Sequence, residues 1–391
     1  MVPKDELLRR KSVLQEKLKA MDLDGALLAQ KMSMYYYSGT MQCQYVYVPA
    51  QGECLGLVRR NMSRAQQEAG ITLTAMAGFS GLPKVIADNA AAPKRMGLEM
   101  DVLPAAIYVR LNKAFAGVSL EDASGVLREC RQVKSAYELE QLQAAAIQVD
   151  KIHRLVPKIL TEGMEELHFA AELEAALRKL GHQGSARMRG FNQEMFYGHV
   201  LSGQPGAAAS FLDSPTGGVG LSPAQPQGAG NKVIRAGEPV TVDYGGIHNG
   251  YIVDQTRLYS IGQLPSPLAQ AFDVALAVQE AVVAAAKPGV TGGELYETAL
   301  AVAQKAGLDG HFMGVGDTQA KYVGHGVGLE FDEFPILAKG SPHVLAADMV
   351  VAVEPKFTFA NMGVVGIENT WQVTKDGLKK ISVTDDKHVI I

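Results

Sequence analysis

The stretch from Pro239 to Arg257 reads PVTVDYGGIHNGYIVDQTR, and its reading decides the fold. Val240 and Val242 alternate with Thr241 and Asp243, the period of a half-buried strand. Tyr251, Val253 and Thr256 lie in a second β-rich run, and Asn249-Gly250 between the runs is a strong hairpin-turn signal. Asp243 and Asp254 stand five residues out on either side of the His248–Asn249 link. A hairpin closing at that link sets the two carboxylates opposite each other, with Cβ atoms roughly 5 Å apart. Like charges so placed destabilise a sheet unless something positive lies between them, and a divalent cation is the simplest candidate.

The same figure recurs in Met349 to Thr374, MVVAVEPKFTFANMGVVGIENTWQVT. Glu354 and Glu368 stand seven residues out on either side of Asn361, with turn chemistry (Ala360-Asn361-Met362-Gly363) between them. One such pair alone is most simply an exposed strand face. Two, together with His325 in Gly324-His325-Gly326-Val327-Gly328, give four carboxylates and one imidazole, the ligand count for two hard-to-borderline divalent ions.

At these residues the sequence resembles the pita-bread (M24) metallopeptidases, which include methionine aminopeptidase, Xaa-Pro aminopeptidase and Xaa-Pro dipeptidase (prolidase). The matching motifs are Asp243-Tyr244-Gly245, Gly250-Tyr251-Ile252-Val253-Asp254-Gln255-Thr256-Arg257, Gly324 to Gly328, Glu354-Pro355 and Ile367-Glu368. The resemblance extends over nearly the whole chain. It implies a dinuclear site in which Asp254 and Glu368 bridge two metals, Asp243 holds one of them, and His325 and Glu354 hold the other. It also implies Glu354 and His325 as catalytic groups, with Glu354 carrying a proton from water to the leaving amine. Two such ions would supply hydroxide near neutral pH and polarise a substrate carbonyl. Carboxylate-dominated ligation suits Mn²⁺, Co²⁺, Fe²⁺ or Zn²⁺ and does not choose among them.

The sequence also departs from that family. Peptidase members carry a histidine shortly before the first ligand, whereas Ser222 to Gly230 contains none. Asp332 stands where the motif following His325 has a second histidine, and Lys321 and Gly366 replace a further histidine and an arginine of Xaa-Pro aminopeptidases. These are positions that contact substrate, so the departures bear on specificity. The expected activity is hydrolysis that removes an N-terminal residue or splits a dipeptide, with proline after the scissile bond. The alternatives are a creatinase-like enzyme acting on a small non-peptide substrate and a non-catalytic peptide-binding module.

The rest of the chain sets the frame. At 391 residues it is long enough for two or three domains and a large core. A net charge of −4 gives no reason to expect nucleic acid or an anionic membrane as partner. Cys43, Cys54 and Cys130 are too few and scattered for a disulfide framework. The N-terminal MVPKDELLRRKSVLQEKL is charged throughout, and no uncharged apolar run reaches the length of a membrane span. The expectation is a cytoplasmic protein of α/β (α+β) class, with residues 1–134 as an N-terminal α/β domain and residues 135–391 as a pita-bread domain of curved antiparallel sheet and outer helices. The first half resembles the N-terminal domain of creatinase and prolidases, which implies a homodimer. The aromatic group Tyr35-Tyr36-Tyr37 reads as packing rather than ligand contact.

Three further features bear on the site. Leu139, Leu142, Ile147, Ile152 and Leu155 recur at helical spacing, and a second helix over Glu165 to Leu180 ends at Gly181. His153 and His168 on these helices read as surface or capped residues. Ser202 to Asn231 is rich in Gly, Pro, Ala and Ser with Asp213 its only charge, and its length and position suggest an active-site rim. His199 opens this loop and, with Asp332, is a candidate for substrate contact. Amphipathic helices are expected at Pro267 to Lys287 and Gly293 to Ala306, over the outer face of the sheet.

Overall fold

The structure is a computed structural model that describes residues 1–193, 196–212 and 214–391, so Asp213 lies outside the described residues. The chain divides into two compact units, Met1–Arg131 and Gln132–Ile391.

The first unit is built on a six-stranded mixed sheet. Its central strand Gly25–Leu28 runs antiparallel to Tyr45–Pro49 and parallel to Arg95–Leu98. Strand Leu55–Val58 pairs antiparallel with Tyr45–Pro49. Helix Lys31–Ser38 carries the aromatic group and buries Tyr36 and Tyr37, so these rings pack. Cys43, Cys54 and Cys130 are all free and buried.

The second unit opens with helix Ala136–His153, started by a capping box in which Ser135 and Glu138 exchange side-chain and backbone bonds. Its buried face is Leu142, Ala145, Ala146, Val149 and Ile152. Ile147 is instead 47 % exposed. At 100° per residue it lies on the side away from Leu142, Ala145, Ala146, Val149 and Ile152, so the apolar spacing misplaces this one residue. Helix Glu166–Lys179 follows, with Gly181 just beyond it at φ 87°, in the left-handed region that glycine enters without strain. His168 is exposed, but His153 is buried and its ring stacks on Tyr259, with Nδ1 3.1 Å from the tyrosine hydroxyl. The expectation of a surface or capped position is corrected for His153: it is a packing histidine, and burial holds its pKa well below the usual range.

Two larger sheets and two short hairpins make up the remainder. Gly198–Ser202, Val240–Tyr244 and Thr256–Ser260 form antiparallel neighbours, with Val389–Ile390 added in parallel at the edge. The second sheet orders Glu333–Ala338, Tyr322–Gly326, Val350–Val353, Asn369–Thr374 and Gly377–Lys380, all antiparallel. Helices Ser266–Ala285 and Gly292–Lys305 bury Phe272, Val278 and Leu295 in one cluster with Val351, Val353 and Val373 of this sheet. The helix Ser266–Ala285 is long and apolar enough to cross a membrane by composition, yet one face of it packs into this core.

Registers settle how the acidic pairs meet. In the first hairpin Tyr251 pairs with His248 and Thr256 with Asp243. The turn is therefore the two-residue Asn249-Gly250, both at positive φ (49° and 87°), as a type I′ turn demands. Asp254 is not directly opposite Asp243, as the sequence suggested, but two residues away. A slip of two preserves the face, so both carboxylates still point the same way. In the second hairpin Val353 pairs with Asn369 and Lys356 with Gly366, which leaves Glu354 and Glu368 at directly opposed positions, the register that a turn at Asn361 predicts.

Candidate active site

Backbone pairing delivers the side chains. His199 on Gly198–Ser202 faces Asp243 on Val240–Tyr244 as a Cα partner, and His325 on Tyr322–Gly326 lies beside Ala352, two residues before Glu354. The break between Val253 and Thr256 is held by Thr370, whose hydroxyl accepts from the Asp254 N–H at 3.0 Å and donates to the Asp254 carbonyl at 2.9 Å. Glu368 is fixed by Arg257, whose guanidinium donates to the Glu368 carbonyl at 2.8 Å, and by Thr256 Oγ1, which donates to Glu368 Oε2 at 2.9 Å.

The five expected ligand residues come together. His325 Nε2 lies 3.4 Å from Glu354 Oε1, 3.9 Å from Glu368 Oε1 and 4.0 Å from Asp254 Oδ2. Asp243 Oδ2 lies 3.6 Å from His199 Nε2. At the centre is a residue that the sequence reading passed over. Lys356 Nζ donates to Glu354 Oε2 at 2.8 Å, Asp243 Oδ2 at 3.1 Å and Glu368 Oε2 at 3.1 Å. Its side chain is 1 % exposed. The signal was available, since Lys356 is two residues from Glu354 and in a strand shares its face.

The electrostatics reflect four carboxylates gathered out of water. Burial raises Asp254, and the nearby Asp243 adds to it, to about 7. Burial and the neighbouring Asp254 push Glu368 well up. Burial would raise Glu354 too, but Lys356 and His325 outweigh it and hold this carboxyl down at about 2. Burial would lower His325, but Glu354, Asp254 and Glu368 lift it to about 10. Carboxylate charge is thus least compensated at Asp254 and Glu368, and best compensated at Glu354, between Lys356 and His325.

A divalent ion fits one part of this set. Asp254, His325 and Glu368 each offer a ligand atom, all within 4.8 Å of one another. Glu368 Oε1 is buried with no hydrogen-bond partner among the described residues, as an oxygen reserved for a cation would be. Carboxylate and imidazole donors suit Mn²⁺, Co²⁺, Fe²⁺ or Zn²⁺.

The cluster floors a cavity of about 340 Å³ whose apolar wall includes Met188, Leu212, Phe331 and Ile336. Such a volume, at the small end for ligand sites, suits a substrate of one or two residues. Ser214, Thr216 and Gln227 from the Gly/Pro-rich loop line it, so this loop is part of the rim. His199 also lines it, and its buried Nε2 has no hydrogen-bond partner among the described residues. Asp332 does another job as well as lining the cavity: its carboxylate accepts from the backbone N–H of Arg189 at 2.7 Å and of Gly190 at 3.1 Å, fastening the segment across from it.

Comparison with known proteins gives the family. Residues 10–133 match the creatinase/prolidase N-terminal domain. The Xaa-Pro dipeptidase of Pyrococcus furiosus is 25 % identical over 381 residues, covering 96 % of this chain and 99 % of the relative. The solved Xaa-Pro dipeptidase from Bacillus anthracis superposes with a TM-score of 0.85 at 25 % identity, covering 98 % of this chain and all (100 %) of that one. The dipeptidase PepE from Mycobacterium ulcerans gives 0.81 at 25 % identity, with 99 % and 98 % covered. Residues 140–375 match the model of metallopeptidase family M24, so the chain belongs to that family, as a peptidase with a creatinase-type first domain and a pita-bread second domain.

Proposed function

We propose that this peptidase uses a bound divalent metal to hydrolyse short peptides, splitting dipeptides or releasing N-terminal residues with proline after the scissile bond. The observation that carries the reading is the convergence of Asp254, His325, Glu354 and Glu368 on the floor of a small, apolar-walled cavity. Asp254, His325 and Glu368 would hold the ion, which when bound acidifies water and polarises a carbonyl. Glu354 stays ionised because Lys356 holds it so, and an ionised carboxylate beside the reacting water is the form that accepts a proton. The same carboxyl then passes that proton to the leaving amine. Phe331 and Ile336 offer an apolar wall for a proline ring, and His199 Nε2, 3.6 Å from Asp243 Oδ2 and without a hydrogen bond among the described residues, offers a polar contact for substrate. Three buried free thiols suit a cytoplasmic setting, and a homodimer is proposed on the resemblance of the first domain alone.

The test is hydrolysis of a panel of short peptides, with and without proline in second position, by protein refilled with Mn²⁺, Co²⁺ or Zn²⁺. Metal-dependent cleavage restricted to Xaa-Pro bonds is the expected result. Metal binding without cleavage of any peptide would move the substrate to a small non-peptide amide, a reading that the replaced positions Asp332, Lys321 and Gly366 favour.

A further inference from the structure

We infer that Lys356 takes the place of one of two metal ions, so that this centre is a hybrid of one divalent cation and one built-in ammonium. The inference rests on the metal-dependent reading above and departs from the dinuclear site that the resemblance implies.

Three observations carry it. First, the ammonium has three donors, and all three are used on carboxylates of three different residues, Asp243, Glu354 and Glu368. A divalent ion ligated by those same oxygens would lie about 2.1 Å from each, inside the space that Nζ occupies. The two cannot coexist. Second, the remaining ligand atoms, from Asp254, His325 and Glu368, are gathered on the other side of the cluster, and Glu368 Oε1 there lacks a partner among the described residues. One subsite is filled by the chain and one is left for an ion. Third, the fold makes room for the lysine. Gly366 is its Cα partner across the hairpin, and a Cβ at 366 would stand 2.6 Å from Lys356 Cγ. A side chain at 366 would press on the stem of Lys356, so the glycine leaves the lysine its path into the acidic cluster.

The chemistry differs from that of two ions. An ammonium supplies charge and donors but no exchangeable ligand position and no Lewis acidity. Lys356 thus neutralises Asp243 and orients Glu354, and a single ion held by Asp254, His325 and Glu368 would supply the Lewis acidity. Its role is positioning.

The experiment is metal stoichiometry on the metal-stripped full chain, by calorimetric titration with Mn²⁺ and by elemental analysis after gel filtration, alongside Lys356→Ala. The expected result is one Mn²⁺ per chain in the unaltered protein and two in Lys356→Ala. Two ions in the unaltered protein, none in it, or one in both proteins would each overturn the inference. Should Lys356→Ala fail to fold, the electron spin resonance of the unaltered protein decides. An isolated-ion Mn²⁺ spectrum at saturation supports the inference, and a spin-coupled pair overturns it. Stoichiometry also separates this inference from the proposed substrate: one ion bound with no peptide cleaved leaves the hybrid centre standing and removes the peptidase specificity.

Discussion

The two sides of the acidic cluster answer the same physical problem differently. On one side Asp254, His325 and Glu368 leave a buried carboxylate oxygen without a partner among the described residues. On the other side Asp243, Glu354 and Glu368 are already bridged by Lys356 Nζ, with distances of 2.8 to 3.1 Å. Gathering carboxylates out of water demands a counter-charge, and a chain can borrow it from solution or encode it. The difference teaches that an intact set of ligand residues does not fix the number of ions bound. On the inference drawn above, a single lysine inside the set lowers the count from two to one.

The comparison can be broken at several points. Glu354 belongs to both sides, touching His325 and Lys356, so Glu354→Gln should have the largest effect: a loss of roughly 10³-fold in kcat with the fold retained, read by peptide hydrolysis and circular dichroism. Unchanged turnover would remove the proton-carrying role. Thr256→Val deletes the hydroxyl that orients Glu368 Oε2 and should weaken Mn²⁺ binding by about 10–100-fold, measured by calorimetry. Gly366→Ala tests the lysine side. The added methyl meets Lys356 Cγ and the Pro355 carbonyl, each at 2.6 Å, and should cost about 1–3 kcal/mol in denaturant unfolding. In a Lys356→Ala background part of that cost should disappear, and strict additivity would deny that the two residues are coupled.

A smaller effect sharpens the contrast by leaving both sides untouched. His182 is buried, its Nε2 3.1 Å from the Gly245 carbonyl while Nδ1 accepts from the Gly184 N–H at 3.0 Å. That arrangement needs the neutral ring, and burial brings its pKa down to about 4. Between about 6.5, the unfolded value, and about 4 the unfolded chain binds a proton that the folded chain refuses, so stability falls as pH drops through that window. His182→Gln should flatten this part of the stability profile, measured by thermal unfolding at stepped pH. The smallest change is expected for Asp332→Asn, which keeps one acceptor for Arg189 and Gly190 and should shift KM more than kcat. An equal loss in kcat would instead give Asp332 a part in the chemistry.

Much of this was legible because hairpins obey local rules. Asn249-Gly250 and the turn at Asn361 set two registers, and period-2 alternation then carries each carboxylate to the correct face. The first register differs by two residues from one centred on the acidic pair, because the Asn249-Gly250 turn sets it, and the face is the same. The helix over 136–153 was legible from its cap and apolar rows, with Ile147 misplaced because alanines, not the larger residue, form the buried stripe. Lys356 was missed for a different reason. Its period-2 relation to Glu354 puts it on the acidic face, but that it bridges Asp243, Glu354 and Glu368 follows only from their tertiary approach. His153 was misread likewise, since its partner Tyr259 lies 106 residues away. The rim loop was visible as composition, but no local periodicity says that Leu212 or Gln227 lines the cavity.

The most direct test of the hybrid centre is anomalous diffraction from crystals grown with Mn²⁺. The account predicts one anomalous peak, bounded by Asp254, His325 and Glu368, with Lys356 Nζ still on Asp243. Two peaks, with the lysine turned away from the carboxylates, would contradict it.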